Sequence, residues 1–147
     1  MMWMESGDVF AVGNAGYVLA PSNDPKIGIL VEVDGIKVWA VVDTGSPYLV
    51  CSLELARQIE LSGMDQLGTI ELRTHVGTIG GRLYRLPVSF IASEGVSVQI
   101  EATVVVPNLD QTVWQNARTF LGFRDCLDRL RIAIDPSEEK FYFGPHP

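Results

Sequence analysis

A chain of 147 residues is long enough for one domain with a real core and short for two. Its net charge of −7, from 11 Lys and Arg against 18 Asp and Glu with no basic cluster, excludes the electrostatic footprint of a nucleic-acid binder. No apolar run approaches the roughly 18 residues of a membrane-spanning helix, and 2 Cys with 2 His, none closely paired, supply neither a disulfide framework nor a metal site.

Residues 1–25 mix Gly, Asn, Ser and Pro with short apolar pieces and read as a poorly specified lead with room for one strand and a loop at 21–25. Met1-Met2-Trp3-Met4-Glu5 has neither a basic segment nor a continuous apolar stretch, so no secretory signal is expected and a reducing, cytoplasmic location is the expectation. Residues 26–147 read as a single domain. Two β-rich runs, 27–33 and 36–42, flank Asp34-Gly35, the dipeptide of a type I′ turn, and predict a tight hairpin.

The second arm of that hairpin runs straight into Asp43-Thr44-Gly45-Ser46, where turn formers replace β formers before Tyr48-Leu49-Val50 carries the chain away. A carboxylate at the end of a buried strand is costly unless it is hydrogen-bonded or used. Gly45 lets an amide approach it with no Cβ in the way, Ser46 can donate its hydroxyl to the carboxylate, and Thr44 offers a second hydroxyl to brace the loop.

Ser52 caps a short helix that runs to Ile59. Alternating strands are predicted at 69–74 and 82–86, and between them Val76-Gly77-Thr78-Ile79-Gly80-Gly81 reads as the glycine-dense tip of a hairpin. That tip is either a mobile turn or a flap, in which glycine amides reach across a bound peptide while Val76 and Ile79 close over it. Further strands are expected at 87–92 and 96–106. After them come a loop at 107–115 with Trp114 exposed, then Phe120-Leu121-Gly122 and a helix of one or two turns at 125–130. Strands at 131–135 and 140–144 about Pro136-Ser137 finish a mostly β domain.

Val-Val-Asp-Thr-Gly-Ser at 41–46, followed by an apolar run, resembles the active-site motif of the aspartic peptidases. By average residue usage such a triplet with its following small residue arises by chance in on the order of one per cent of chains this long. The order of the pieces from about residue 27 to 143 resembles the retropepsin-like, single-lobe branch of that family. Asp43-Thr44-Gly45 corresponds to its catalytic triplet, Val76 to Gly81 to its glycine-rich flap, and Phe120-Leu121-Gly122 to the apolar stretch that packs under the active-site loop.

The resemblance implies a mostly β, closed, barrel-like acid-protease fold with one or two short helices and a flap hairpin. It also implies no cofactor, a peptide or protein substrate, and a symmetric homodimer with the active site on its two-fold axis. Departures from the family pattern are Pro47-Tyr48 where retroviral members usually carry acids, Ser46 where several carry Ala, and a Gly-Arg-Asp/Asn spacing stretched to Gly122-Phe123-Arg124-Asp125.

Peptide hydrolysis by this chemistry needs two carboxylates sharing a proton, one acting as base on water and the other as donor to the carbonyl. The chain has a single Asp-Thr/Ser-Gly, so an active enzyme needs a second copy to bring another Asp43. Two further readings stand beside this one. In the first, a non-catalytic dimeric domain holds a peptide or protein partner in the same groove; in the second, Asp43 only braces its loop.

Overall fold

The computed structural model describes residues 2–3, 9–19 and 25–147. In chain order its strands are β1 (Met2–Trp3), β2 (Val9–Ala11), β3 (Gly13–Gly16), β4 (Val18–Leu19), β5 (Ile27–Val33), β6 (Ile36–Val42), β7 (Leu49–Val50), β8 (Gly68–Thr74), β9 (Gly77–Phe90), β10 (Glu94–Gly95), β11 (Val98–Pro107), β12 (Thr119–Leu121), β13 (Leu130–Asp135) and β14 (Lys140–Pro145). One helix, α1 (Leu53–Gln58), and two 3₁₀ turns, Thr112–Trp114 and Leu127–Arg129, complete the described elements. No described helix is long and apolar enough to cross a membrane.

The β5–β6 hairpin forms where turn chemistry places it. Asp34 and Gly35 have φ of 50° and 80°, the two left-handed residues of a type I′ turn, and Val33 pairs directly with Ile36. Alternation along β5 buries Ile29, Val31 and Val33. Ser52 caps α1, its hydroxyl accepting from the Leu55 amide at 3.1 Å.

Eight strands form one sheet in the order β4-β5-β6-β12-β7-β11-β9-β8, and an added β5–β9 pairing curls it on itself. A second sheet, β10-β3-β14-β13, shares the main core, where Phe141, Phe143 and Ala15 meet Ile29, Val31 and Phe90. The barrel is therefore a curled sheet backed by a second sheet, not one continuous closed wall. Residues 9–19 contribute three strands where the sequence suggests one. Gly13-Asn14-Ala15-Gly16 has weak strand propensity, but β14 and β10 pair with it from either side, and a Cβ on Gly13 would lie 2.2 Å from the Val96 carbonyl. Of the loop expected at 21–25, residues 21–24 lie outside the described residues.

Three other expectations change. The strands read as 82–86 and 87–92 merge into the single long strand β9, which begins at Gly77 and ends at Phe90. The helix expected at 125–130 is reduced to the 3₁₀ turn Leu127–Arg129, because Asp125 takes a φ of 53°, outside helical space. Trp114 is not exposed. The turn at Thr112–Trp114 swings it inward to 2% exposure, where it anchors a second core cluster with Val50, Leu53, Leu72, Ile79 and Val105.

Candidate active site

β6 carries Asp43 to the end of the sheet, and β12 lies between the strands that enter and leave the Asp43 loop. β12 pairs parallel with β6 (Leu121 with Val42) and antiparallel with β7 (Phe120 with Val50). The Asp43 amide donates to the Leu121 carbonyl at 2.9 Å, which continues the β6–β12 ladder one residue into the loop. The Ser46 amide donates back to the Asp43 carbonyl at 3.1 Å and closes the turn.

The carboxylate is oriented from within the loop. The Gly45 amide donates to Asp43 Oδ1 at 3.0 Å, and a Cβ on Gly45 would sit 3.2 Å from the same oxygen. Glycine is therefore the residue that lets the amide face the acid. Asp43 is half-buried, and Thr44 and Gly45 are exposed at the turn. Ser46 departs from its expected role: its hydroxyl donates to the Tyr48 carbonyl at 3.1 Å, bracing the exit of the loop instead of reaching the carboxylate.

A second segment clasps the loop from beneath. Leu121 is fully buried, the Phe123 amide donates to the Ser46 carbonyl at 2.8 Å, and the Arg124 amide donates to the Pro47 carbonyl at 2.7 Å. Gly122 lies so close that a Cβ there would stand 2.0 Å from the Tyr48 carbonyl oxygen. The stretched Gly122-to-Asp125 spacing gives its charges other partners. The Arg124 guanidinium stacks 6.0 Å over the Tyr48 ring, and Asp125 accepts from Arg129 and from the Thr103 hydroxyl, each at 3.2 Å.

Asp43 opens on a cleft of about 390 Å³. Val50, Leu72, Trp114 and Phe120 give it apolar walls, Ser46, Thr74 and His75 add polar groups, and Lys26 and Arg73 also line it. Sequence reasoning finds Asp43, Gly45 and Ser46 but misses the rest. Phe120 stands out in the sequence only as part of a loop-supporting stretch, and Lys26, Arg73 and His75 carry no local motif that marks them.

The glycine-rich segment sits differently from its expected place. Thr74 pairs with Gly77, so the hairpin turn consists of His75 and Val76, held by the Thr74 hydroxyl donating to the Gly77 carbonyl at 2.6 Å. Gly77, Thr78, Ile79, Gly80 and Gly81 are the first five residues of β9, and none of them, nor Val76, lines the Asp43 cleft. Ile79 is fully buried in the Trp114 cluster. The Gly80 amide donates to Gln111 Oε1 at 2.9 Å, and a Cβ on Gly81 would stand 2.9 Å from the Val106 carbonyl. These glycines admit close packing of the 105–111 segment. Gly77 alone among them needs a left-handed φ, of 131°. The hairpin end leans on its own chain, with the His75 ring edge-on to Phe120 at 6.3 Å.

No thiol competes for the role of nucleophile. Burial pushes the Cys51 thiol far up, and burial aided by the Asp128 charge pushes Cys126 up to about 12, so both stay protonated near neutrality. The Cys51 carbonyl instead accepts the Trp114 indole N–H at 2.8 Å, which fixes the back wall of the cleft. What the cleft offers chemically is one oriented, half-buried carboxylate beside an apolar wall. One carboxylate can act as a base or as a donor, but not as both at once.

No protein-family model matches the sequence, and no curated protein matches it. Among solved structures the chain is similar to a retropepsin-like aspartic protease from Rickettsia conorii, at 17% identity and a TM-score of 0.51 over 88% of this chain and 92% of that one. It also matches the Simian Foamy Virus (mac) protease at 18% identity and a TM-score of 0.39, over 67% of this chain and 89% of that one. The retroviral protease-like domain of Ddi1 from Leishmania major matches at 18% identity and 0.41, over 82% and 94%. The first likeness spans nearly all of both molecules, and with the acid-bearing loop straddling β12 it shows that this chain has the retropepsin-like fold.

Proposed function

We propose that the protein is an aspartic endopeptidase, active as a homodimer, in which water between two Asp43 carboxylates, one per chain, attacks the peptide carbonyl. The observation that supports it is the Asp43 carboxylate, held by the Gly45 amide at 3.0 Å and facing an apolar-walled cleft. Among the described residues lining that cleft Asp43 is the only carboxylate, so the second must come from another copy. The ionised Asp43 takes a proton from water while the protonated one donates to the scissile carbonyl. Their roles exchange as the tetrahedral intermediate collapses.

Thr44, Gly45 and Ser46 shape the loop in this reading, and Leu121 and Gly122 support it from below. The hairpin end at His75, Val76 and Gly77 serves as the flap, moving at the His75–Phe120 contact when a peptide enters, while Ile79, Gly80 and Gly81 stay packed in β9. Two buried, unpaired thiols suit a reducing compartment such as the cytoplasm.

The test is cleavage of a broad peptide mixture by wild type and by Asp43→Asn. Wild type is expected to cut and the variant to lose about 10³-fold or more in rate. Specific activity should also fall on dilution in step with a monomer–dimer equilibrium measured in parallel. Peptide binding without cleavage by wild type would instead support the non-catalytic binding domain.

A further inference from the structure

We infer that Gln111 roots the moving hairpin end beside the Asp43 cleft and is a positioning residue for peptide binding; this rests on the peptidase reading above and its flap. β9 and β11 pair residue by residue until Gly81 meets Pro107, which ends that ladder with no amide to donate. One residue further toward the hairpin turn, Gly80 still has both backbone groups engaged. The Asn108 amide donates to the Gly80 carbonyl at 3.0 Å, and the Gly80 amide donates to Gln111 Oε1 at 2.9 Å. A side chain thus stands where the next strand carbonyl would be.

What lies beyond this tie gives it its role. Gly80 is opposite Glu71, and the next pairs toward the turn are Leu72 with Ile79, Arg73 with Thr78 and Thr74 with Gly77. Leu72, Arg73, Thr74 and His75 line the Asp43 cleft, so the tie falls on the pair just before the first that lines it. Gln111 is joined to the hairpin by a second route. Its carbonyl accepts the Trp114 amide at 3.0 Å, the Trp114 and Phe120 rings lie 5.8 Å apart, and His75 stands edge-on to Phe120. The Gln111 side chain is itself held in one orientation. Its Nε2 donates to Asp110 Oδ1 at 3.1 Å, and a flipped amide would set donor against donor at Gly80 and acceptor against acceptor at Asp110.

A hairpin end that settles over a peptide loses conformational freedom, and every further residue set free adds to that loss. With the tie in place the motion stops short of Gly80. Without it the mobile stretch lengthens, so peptide binds more weakly while the chemistry at the paired carboxylates is untouched. On a peptide that wild type cuts, Gln111→Ala should raise KM by about threefold to tenfold, the worth of one hydrogen bond, and leave kcat within about twofold. Hydrogen exchange at the Gly80 amide, without peptide, should quicken by a similar factor, while that of Leu86 and Val104 in the core stays as it was. Asp110→Asn combined with Gln111→Glu keeps an acceptor for Gly80 and a donor between the two side chains, at unchanged net charge. That double variant should return KM and exchange to within about twofold of wild type.

An unchanged KM in Gln111→Ala overturns the inference, as does a raised KM that the double variant fails to restore. So does a fall in kcat with exchange quickened throughout the core, which is loss of the fold and not of a root. If Gln111→Ala does not fold, Asp110→Ala frees the amide to turn and should raise KM by about twofold; no rise overturns the inference equally. A labelled peptide mixture is also titrated by fluorescence anisotropy onto the uncleaving Asp43→Asn protein, with and without Gln111→Ala, so that the two readings fail separately. No cleavage by wild type, with binding weakened by Gln111→Ala and restored by the double variant, keeps the role of Gln111 and removes the peptidase reading. Cleavage with KM and binding indifferent to Gln111 does the reverse. Neither cleavage nor binding removes both.

Discussion

Two glycine-bearing segments of this protein do opposite work. In the Asp43 loop, Gly45 opens space so that an amide can face a carboxylate, and Gly122 lets a second segment press against the loop from below. In β9, Gly80 and Gly81 close space, letting the 105–111 segment pack against the strand. The loop is fixed by backbone bonds on both flanks. The hairpin end beside β9 is held mainly by one hydroxyl and one ring contact. A glycine cluster thus marks close approach, and only the approaching neighbour says whether the result is a working loop, a packed strand or a movable end.

The sharpest test of this contrast is Gly122→Ala. A methyl group there meets the Tyr48 backbone on three atoms, at 2.0, 2.5 and 2.6 Å, with no flexible side chain to yield. We expect a loss of about 3 kcal/mol or more in urea unfolding, together with loss of the proposed peptidase activity. Stability within about 0.5 kcal/mol of wild type would show that the clasp is loose and would dissolve the contrast.

Gly81→Val probes the other segment. Its Cβ would lie 2.9 Å from the Val106 carbonyl and 3.0 Å from a Val105 methyl, so a destabilisation of about 1–3 kcal/mol is expected. Activity lost with stability intact would instead place Gly81 over the substrate.

The rigid side also carries a titratable seal. Cys51 follows the loop exit and Cys126 follows the clasp, both buried with thiol pKa values pushed up, Cys126 to about 12. Below the unfolded value near 9 both states hold the thiol proton and nothing changes with pH. Above it the unfolded chain releases the proton first, so stability falls by about 1.4 kcal/mol per pH unit for each thiol until the folded value is reached. Urea midpoints measured from neutral to alkaline pH should fall more gently in Cys126→Ala than in wild type; parallel curves would say that Cys126 is not sealed.

The smallest effect is expected at Ser46→Ala. Its hydroxyl serves the Tyr48 carbonyl, so the variant should lose about 1 kcal/mol of stability while its pH–rate profile stays in place. A displaced profile would return the hydroxyl to the carboxylate.

The sequence shows most clearly those features whose causes are local. Asp34-Gly35 dictates its turn from two adjacent backbone conformations, Ser52 caps from three residues away, and Asp43 stands out because acid, hydroxyl and glycine follow one another. The features it hides have distant causes. Trp114 looks like a loop residue until the Cys51 carbonyl accepts its N–H from 63 positions away. Gly80 looks like a flexible tip until Gln111, 31 positions on, meets it. The Ser46 hydroxyl had two partners within reach, and nothing in residue order ranks the Tyr48 carbonyl above the carboxylate. Arg73 and His75 enter the cleft because a hairpin turns two residues earlier than its glycines suggest.

The pairing of β3 with β14 has a consequence for how the molecule is made. Gly16 lies opposite Lys140, about 120 positions later in the chain, and β3 is held from its other side by β10, whose partner residues are only Glu94 and Gly95. During synthesis β3 emerges well before its main partner, so a low-propensity strand has only the short β10 to pair with until residue 140 has left the ribosome. A nascent chain stalled just short of β14 should therefore engage holding chaperones, and release of β14 should be the step that commits the domain to its folded state.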